Sequence, residues 1–91
     1  MAYEIRITVY GRVQGVFYRS WIKERADALG LTGYVRNDPD GSVTILAQGP
    51  EDAIEKFLRA AERGSRFSRV ERIVHETIPI EKSTYADFRT L

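Results

Sequence analysis

A chain of 91 residues, 43% hydrophobic and 30% charged, has the composition of one globular domain with a single modest core, and leaves no room for a second. A net charge of +1 excludes general attraction to nucleic acid or anionic membrane, so any positive site must be local. The lack of cysteine excludes disulfides and thiolate ligands, and with no signal-like or long apolar run a cytoplasmic location without membrane spanning is expected.

Tyr3, Ile5, Ile7 and Val9 alternate with Glu4, Arg6, Thr8 and Tyr10, the period-two pattern of a strand with one buried face, ended by Gly11. Tyr18, Ile22, Ala26 and Leu29 then recur at three- and four-residue spacing, which lines one face of a helix closing at Gly30. A second strand is predicted over 32–36, followed by the turn Asn37-Asp38-Pro39-Asp40-Gly41. There Pro39 presets φ, Gly41 accepts positive φ and the acidic side chains can bond nearby backbone. A third strand over 42–48 turns Val43, Ile45 and Ala47 inward. Gly49-Pro50-Glu51-Asp52 reads as a helix start, with Ala53, Ile54, Phe57, Leu58 and Ala61 as its apolar face and Gly64 as its C-terminal cap. A fourth strand is expected over 68–78, a weaker fifth within 85–91, and residues 64–67 are the only loose segment expected.

Residues 11–19, Gly-Arg-Val-Gln-Gly-Val-Phe-Tyr-Arg, join the first strand to the first helix. No Asp or Glu occurs from Ile5 through Lys23, whereas Arg6, Arg12, Arg19 and Lys23 all do, so the local field favours an anion. A helix start leaves N–H groups without partners, and no Ser, Asp or Asn precedes this one to fill them. Such N–H groups beside the positive end of a helix make a phosphate cradle, and glycine removes the Cβ that would block close approach. Arg19 adds a planar fork matching two phosphate oxygens. Spacing alone leaves an ordinary βα turn with a surface arginine equally open. Gly15 is not followed by Lys-Ser/Thr, so the stretch is not a Walker loop, and it also lacks the dinucleotide G-x-G-x-x-G.

Gly11-x-Val13-Gln14-Gly15-Val16-x-x-Arg19, followed by Gly30-Leu31-x-Gly33-Tyr34-Val35-x-Asn37-x-x-Asp40-Gly41-x-Val43, resembles both signature blocks of the acylphosphatases in their spacing. Gln48-Gly49-Pro50, Gly64-Ser65 and Ser68-Arg69-Val70 extend the likeness over nearly the whole chain. The resemblance implies a metal-free, cofactor-free enzyme that hydrolyses the carboxyl–phosphate anhydride of small acyl phosphates. Its phosphate-binding arginine falls on Arg19 and its water-positioning asparagine on Asn37. Because phosphoryl transfer depends mostly on holding the phosphoryl oxygens and aligning water, the N–H groups of Gly15, Val16, Phe17, Tyr18 and Arg19 are assigned with the Arg19 side chain to those oxygens. Pro39, Thr44-Ile45-Leu46 and Arg66 depart from the commoner pattern, which bears on loop shape and substrate preference.

The order βαββαβ predicts an α+β, ferredoxin-like two-layer sandwich: an antiparallel sheet of four to five strands with two helices on one face, residues 1–91 forming a single acylphosphatase-like domain. In that topology strands one and two run parallel with strand three between them, which brings Arg19 and Asn37 to one edge, roughly 10 Å apart by two strand spacings. Asn37 is the only asparagine in the chain. Without the second block it reads more simply as a strand-ending turn residue. His75, the only histidine, reads as a strand residue, and with no cysteine a zinc site is improbable. A calcium loop on Asp38-x-Asp40-Gly41 fails, because it would need ligands at Arg36 and Ala47. Tyr10, Phe17 and Tyr18 are candidates to border the substrate pocket. A monomer that binds neither nucleic acid nor membrane is expected. The rival reading, an RNA-binding sandwich, needs aromatic residues on the central strands, where strand three offers Val43-Thr44-Ile45-Leu46-Ala47.

Overall fold

The computed structural model describes all 91 residues. The chain runs β1 (Ala2–Arg12), α1 (Tyr18–Ala28), β2 (Thr32–Asn37), β3 (Val43–Gly49), α2 (Glu51–Arg63), β4 (Arg69–Ile80) and β5 (Phe88–Thr90). The strands form one sheet in the order β4-β1-β3-β2-β5. Because β1 and β2 both pair antiparallel with β3, they run parallel to each other and their C-terminal ends emerge together.

Alternation along the strands decides which face is buried. Ile5, Ile7 and Val9 of β1, Val43, Ile45 and Ala47 of β3 and Val35 of β2 point to the same side, and both helices cover it. α1 contributes Tyr18, Ile22 and Ala26, and α2 contributes Ala53, Ile54, Phe57 and Ala61. Phe57 is wholly buried and meets Phe88 of β5 edge to face at 6.1 Å; truncating such a residue to alanine costs about 3–5 kcal/mol. The Tyr18 hydroxyl donates to the Ala61 carbonyl at 2.9 Å, which ties the first turn of α1 to the last turns of α2.

Two features extend the sequence-based reading. The sheet is mixed, since β5 pairs parallel with β2. Reaching that edge from β4 requires residues 81–87 to cross the sheet, a second irregular segment beyond the loop at 64–67. The crossing is fastened on the face away from the helices: Thr84 N donates to the Gln48 Oε1 at 2.7 Å, Tyr85 packs edge to face on Tyr34, and Gly33 N donates to the Asp87 carbonyl. Gln48 in turn donates to buried Glu4 at 2.7 Å, and Glu4 accepts from Arg6. Running parallel to β2, β5 then delivers Thr90 and Leu91 to the end of the sheet where β1 and β2 finish.

Candidate active site

The segment joining β1 to α1 is pinned from below and open from above. Val13, Val16 and Tyr18 are buried, while Gly15 and Phe17 between them are exposed. Three anchors in the core hold a short loop whose intervening peptide groups face outward. Gly11 opens the loop at a bulge in the β1–β4 pairing, with φ of 131° and the Arg69 carbonyl where a Cβ would stand. Any side chain there would push the loop off β4. Gly15 has φ of 70°, and Phe17, at the N-cap of α1, has φ of 63° and ψ of 18°. Left-handed backbone costs an L-residue with a Cβ roughly 1–2 kcal/mol, and such strain tends to persist where geometry serves a site.

The consequence is a run of unpaired donors. No backbone N–H from residues 15–20 donates within the protein, α1 has no side-chain cap and its first turn carries no acid. Of these residues Gly15, Phe17, Tyr18, Arg19 and Ser20 line a pocket of about 250 Å³ together with Val13 and Thr90. Free amides in alternating left-handed turns at a positive helix end form a concave anion site.

Arg19 is half-buried and donates through Nη1 to the main-chain oxygen of Leu91 at 2.6 Å. Leu91 N donates to the Val35 carbonyl at 2.8 Å. One residue therefore links the guanidinium to β2, two positions before Asn37. Asn37 pairs across the sheet with Val43, which pairs with Val9, so Asn37 and the end of β1 are two strand spacings apart, roughly 10 Å. By alternation Asn37 shares the helix-side face with Val35 and is exposed at its end. A second tie comes from the loop itself. Gln14 Nε2 donates to the carbonyls of both Asp38 and Ser42 at 2.8 Å, clipping the loop to the turn that follows Asn37.

That turn is internally satisfied. Asp38 accepts from Thr44 at 2.6 Å, from Ser42 at 3.0 Å and from Arg36 at 3.3 Å, and Asp40 accepts from the hydroxyl and the N–H of Ser42. For Asp38 burial alone would raise the carboxyl, but the Thr44, Ser42 and Arg36 donors outweigh it and hold it below the usual carboxylate range. Asp40 is lowered too, chiefly by the Ser42 hydroxyl and then by its N–H. Burial pushes the Tyr18 hydroxyl upward, so it remains a neutral donor to Ala61.

The structure thus brings Arg19, Asn37 and the amides of Gly15, Val16, Phe17, Tyr18 and Arg19 to one end of the sheet. Of the aromatic candidates, Phe17 and Tyr18 line the pocket, Tyr18 only by its backbone side because its ring is in the core. Tyr10 lies on the opposite face under Arg72, 4.2 Å from its guanidinium. His75 is an exposed residue of the edge strand β4. The Gln14 clip and the Thr90 wall are additions that spacing does not reveal, although Gln14 is one of only two glutamines in the chain. Nowhere do three or more His, Cys, Asp or Glu side chains converge as a metal site needs. On the sheet face where an RNA-binding module would stack bases, Tyr34 is paired with Tyr85 and the 81–87 crossing occupies one end.

Comparison with known proteins identifies the family. Residues 5–90 match the acylphosphatase family profile. An acylphosphatase of Rhizorhabdus wittichii is 50% identical over 74 residues, covering 81% of this chain and 75% of that protein. One of Thermus thermophilus is 49% identical over 65 residues, covering 71% and 74%. The crystal structure of the Bacillus subtilis acylphosphatase superposes with a TM-score of 0.91 at 40% identity, over 98% of each chain. With its sandwich, its uncapped loop and this breadth of likeness, the chain belongs to the acylphosphatase family.

Proposed function

We propose that Arg19, Asn37 and the main-chain amides of Gly15, Val16, Phe17, Tyr18 and Arg19 carry the reaction of this family, hydrolysis of an acyl phosphate to a carboxylate and inorganic phosphate. The observation that carries the proposal is the run of unpaired amides at residues 15–20 beside Arg19, at a helix start without an acid.

The amides and the Arg19 guanidinium hold the non-bridging phosphoryl oxygens and take up the charge that develops on them. The Asn37 carboxamide holds a water in line with the bond to be broken. As the water oxygen bonds to phosphorus, the bond from phosphorus to the acyl oxygen breaks with its electron pair, and the carboxylate departs. The water proton passes to the phosphate. A carboxylate leaving group, whose conjugate acid has a pKa of about 4, needs no proton from the enzyme. The factor of roughly 10²–10⁴ that general acid catalysis usually supplies can therefore be forgone. With the amides and Arg19 supplying the positive charge at the phosphoryl oxygens, we infer that the reaction runs without metal or cofactor. Gln14 is a positioning residue: by clipping the loop to the carbonyls of Asp38 and Ser42 it holds the phosphate amides and Asn37 in one frame.

No helix is long and apolar enough to cross a membrane. We further infer that residues 1–91 act as one domain, a cytoplasmic monomer whose partner is the small acyl phosphate, with no nucleic acid or membrane involved. The deciding experiment is benzoyl phosphate hydrolysis in EDTA. Wild-type turnover is expected to be unaffected by the chelator, and Asn37→Ala to lower kcat while competitive inhibition by inorganic phosphate is nearly unchanged. Benzoyl phosphate left uncleaved beyond its spontaneous rate, or an Asn37→Ala enzyme with full kcat, would overturn the assignment.

A further inference from the structure

We propose that Phe17 and Phe67 form an aromatic platform at the mouth of the phosphate pocket that seats the acyl group and favours aryl acyl phosphates over acetyl phosphate. The proposal rests on acyl phosphate hydrolysis at the 15–20 cradle and adds the part of the substrate that the cradle does not touch.

The starting observation is a pair of misplaced rings. Phe17 is 74% exposed and Phe67 is 61% exposed, in a chain whose other phenylalanines, Phe57 and Phe88, are buried. The two rings meet edge to face with centroids 6.4 Å apart. Phe17 lines the pocket, so the pair is continuous with the cradle. Its backbone is left-handed at φ 63°, a conformation that glycine adopts freely and phenylalanine resists. The cradle needs the N–H of residue 17 and its φ, but it does not need the ring. A large apolar side chain there carries the cost of the left-handed backbone and gains almost no burial from the fold. An apolar ligand group that covers the ring accounts for both.

Phe67 is held, not loose. The turn carrying it is closed by Ser65 N donating to Ser68 Oγ at 2.7 Å and by Ser68 N donating to the Ser65 carbonyl. The Arg66 guanidinium lies over the Phe67 ring, 5.6 Å from its centroid. Once a phosphoryl group sits against the amides of residues 15–20, the acyl group must leave through the mouth and pass these rings. An aryl acyl group can pack against them in the offset or edge-to-face arrangements that aromatic groups prefer. The methyl of acetyl phosphate is too small to reach both.

The test compares benzoyl phosphate with acetyl phosphate in wild type, Phe67→Ala and Phe67→Tyr, by kcat/KM, and phenylphosphonate with methylphosphonate as competitive inhibitors. Comparing each variant with wild type cancels the intrinsic reactivities of the two anhydrides. In Phe67→Ala the benzoyl-to-acetyl ratio and the phenyl-to-methyl inhibition ratio are each expected to fall by about 2- to 12-fold, the range for loss of one aromatic pair. Phe67→Tyr, which keeps the ring, is expected to retain both ratios. Ratios unchanged in Phe67→Ala, or both substrates weakened equally, would show that the rings only stiffen the loops and would overturn the platform. Wild-type enzyme that cleaves neither substrate would instead sink the underlying assignment, so the two failures are distinct.

Discussion

The two helices of this protein start in opposite ways, and the contrast bears on where the proposed chemistry sits. Neither start has a capping side chain. α2 begins at Pro50 with extended backbone and places Glu51 and Asp52 in its first turn, supplying its own negative charge to the positive end of the helix. α1 begins at a left-handed Phe17, has no acid in its first turn and is followed by Arg19. The first arrangement favours the folded state by itself; the second forgoes that gain and leaves the end of the helix for an anion from outside. The helix start that looks poorly built for stability is the one we propose to bind the phosphoryl group.

The largest effect should come from removing the one side-chain cation of the α1 site. Arg19→Ala is expected to lower kcat/KM for benzoyl phosphate by at least ~10²–10³, by analogy with loss of a single preorganised donor to a developing oxyanion. Arg63 serves as the matched control, since it sits in the last turn of α2 and lines a different pocket from the cradle. If Arg63→Ala lowered kcat/KM as much as Arg19→Ala, the site would not be where α1 begins.

A subtler change makes α1 resemble α2. Ser20, exposed in the first turn of α1, can be replaced by aspartate. Ser20→Asp should stabilise the helix end by about 0.3–1 kcal/mol, a rise of up to several degrees in Tm for a domain of this size. The same carboxylate repels phosphate, so inhibition by inorganic phosphate should weaken about tenfold and KM should rise. Asp52→Asn supplies the reverse arm: α2 loses a similar increment of stability and phosphate inhibition stays as in wild type. Calorimetry and phosphate inhibition on the two variants measure both quantities. Opposite signs in stability and affinity for Ser20→Asp would sustain the contrast, and a change of either without the other would break it.

How much of this could be read beforehand depends on whether a signal is local. β1, β3 and the buried faces of both helices are legible because their periodicities run through four or more residues, from Ile5 to Val9 or from Ala53 to Ala61. The placement of the α1 start and Asn37 at one end of the sheet is legible as well, since it follows from the parallel course of β1 and β2. The 81–87 crossing and the parallel pairing of β5 are not. That segment is polar, has no period, and its fastening depends on Gln48 and Tyr34 far away in sequence. Gln14 meets carbonyls 24 and 28 residues on, and no local pattern records such a contact. The left-handed Phe17 is hidden for another reason: the residue contradicts its own preference, and only surrounding anchors at Val16 and Tyr18 hold it there.

The β2–β3 turn offers the finest test of the same contrast, because its donors, like the start of α2, are filled from within. Asp38 accepts from the hydroxyls of Ser42 and Thr44 and from Arg36, and these donors outweigh burial to keep its carboxyl below the ordinary value. A folded-state pKa below the unfolded value of about 3.9 means that folding favours the ionised form. The stabilisation is complete above that unfolded value and is lost as pH falls through the lower folded one. Between pH 5 and pH 2.5 the Tm of wild type should therefore decline, most steeply below pH about 4. Asp38→Asn, which cannot gain or lose the proton, should start from a lower Tm at pH 5 and decline more shallowly. Parallel curves for the two proteins would mean that the turn draws no stability from this carboxylate. The filled turn and the open loop would then differ in geometry alone.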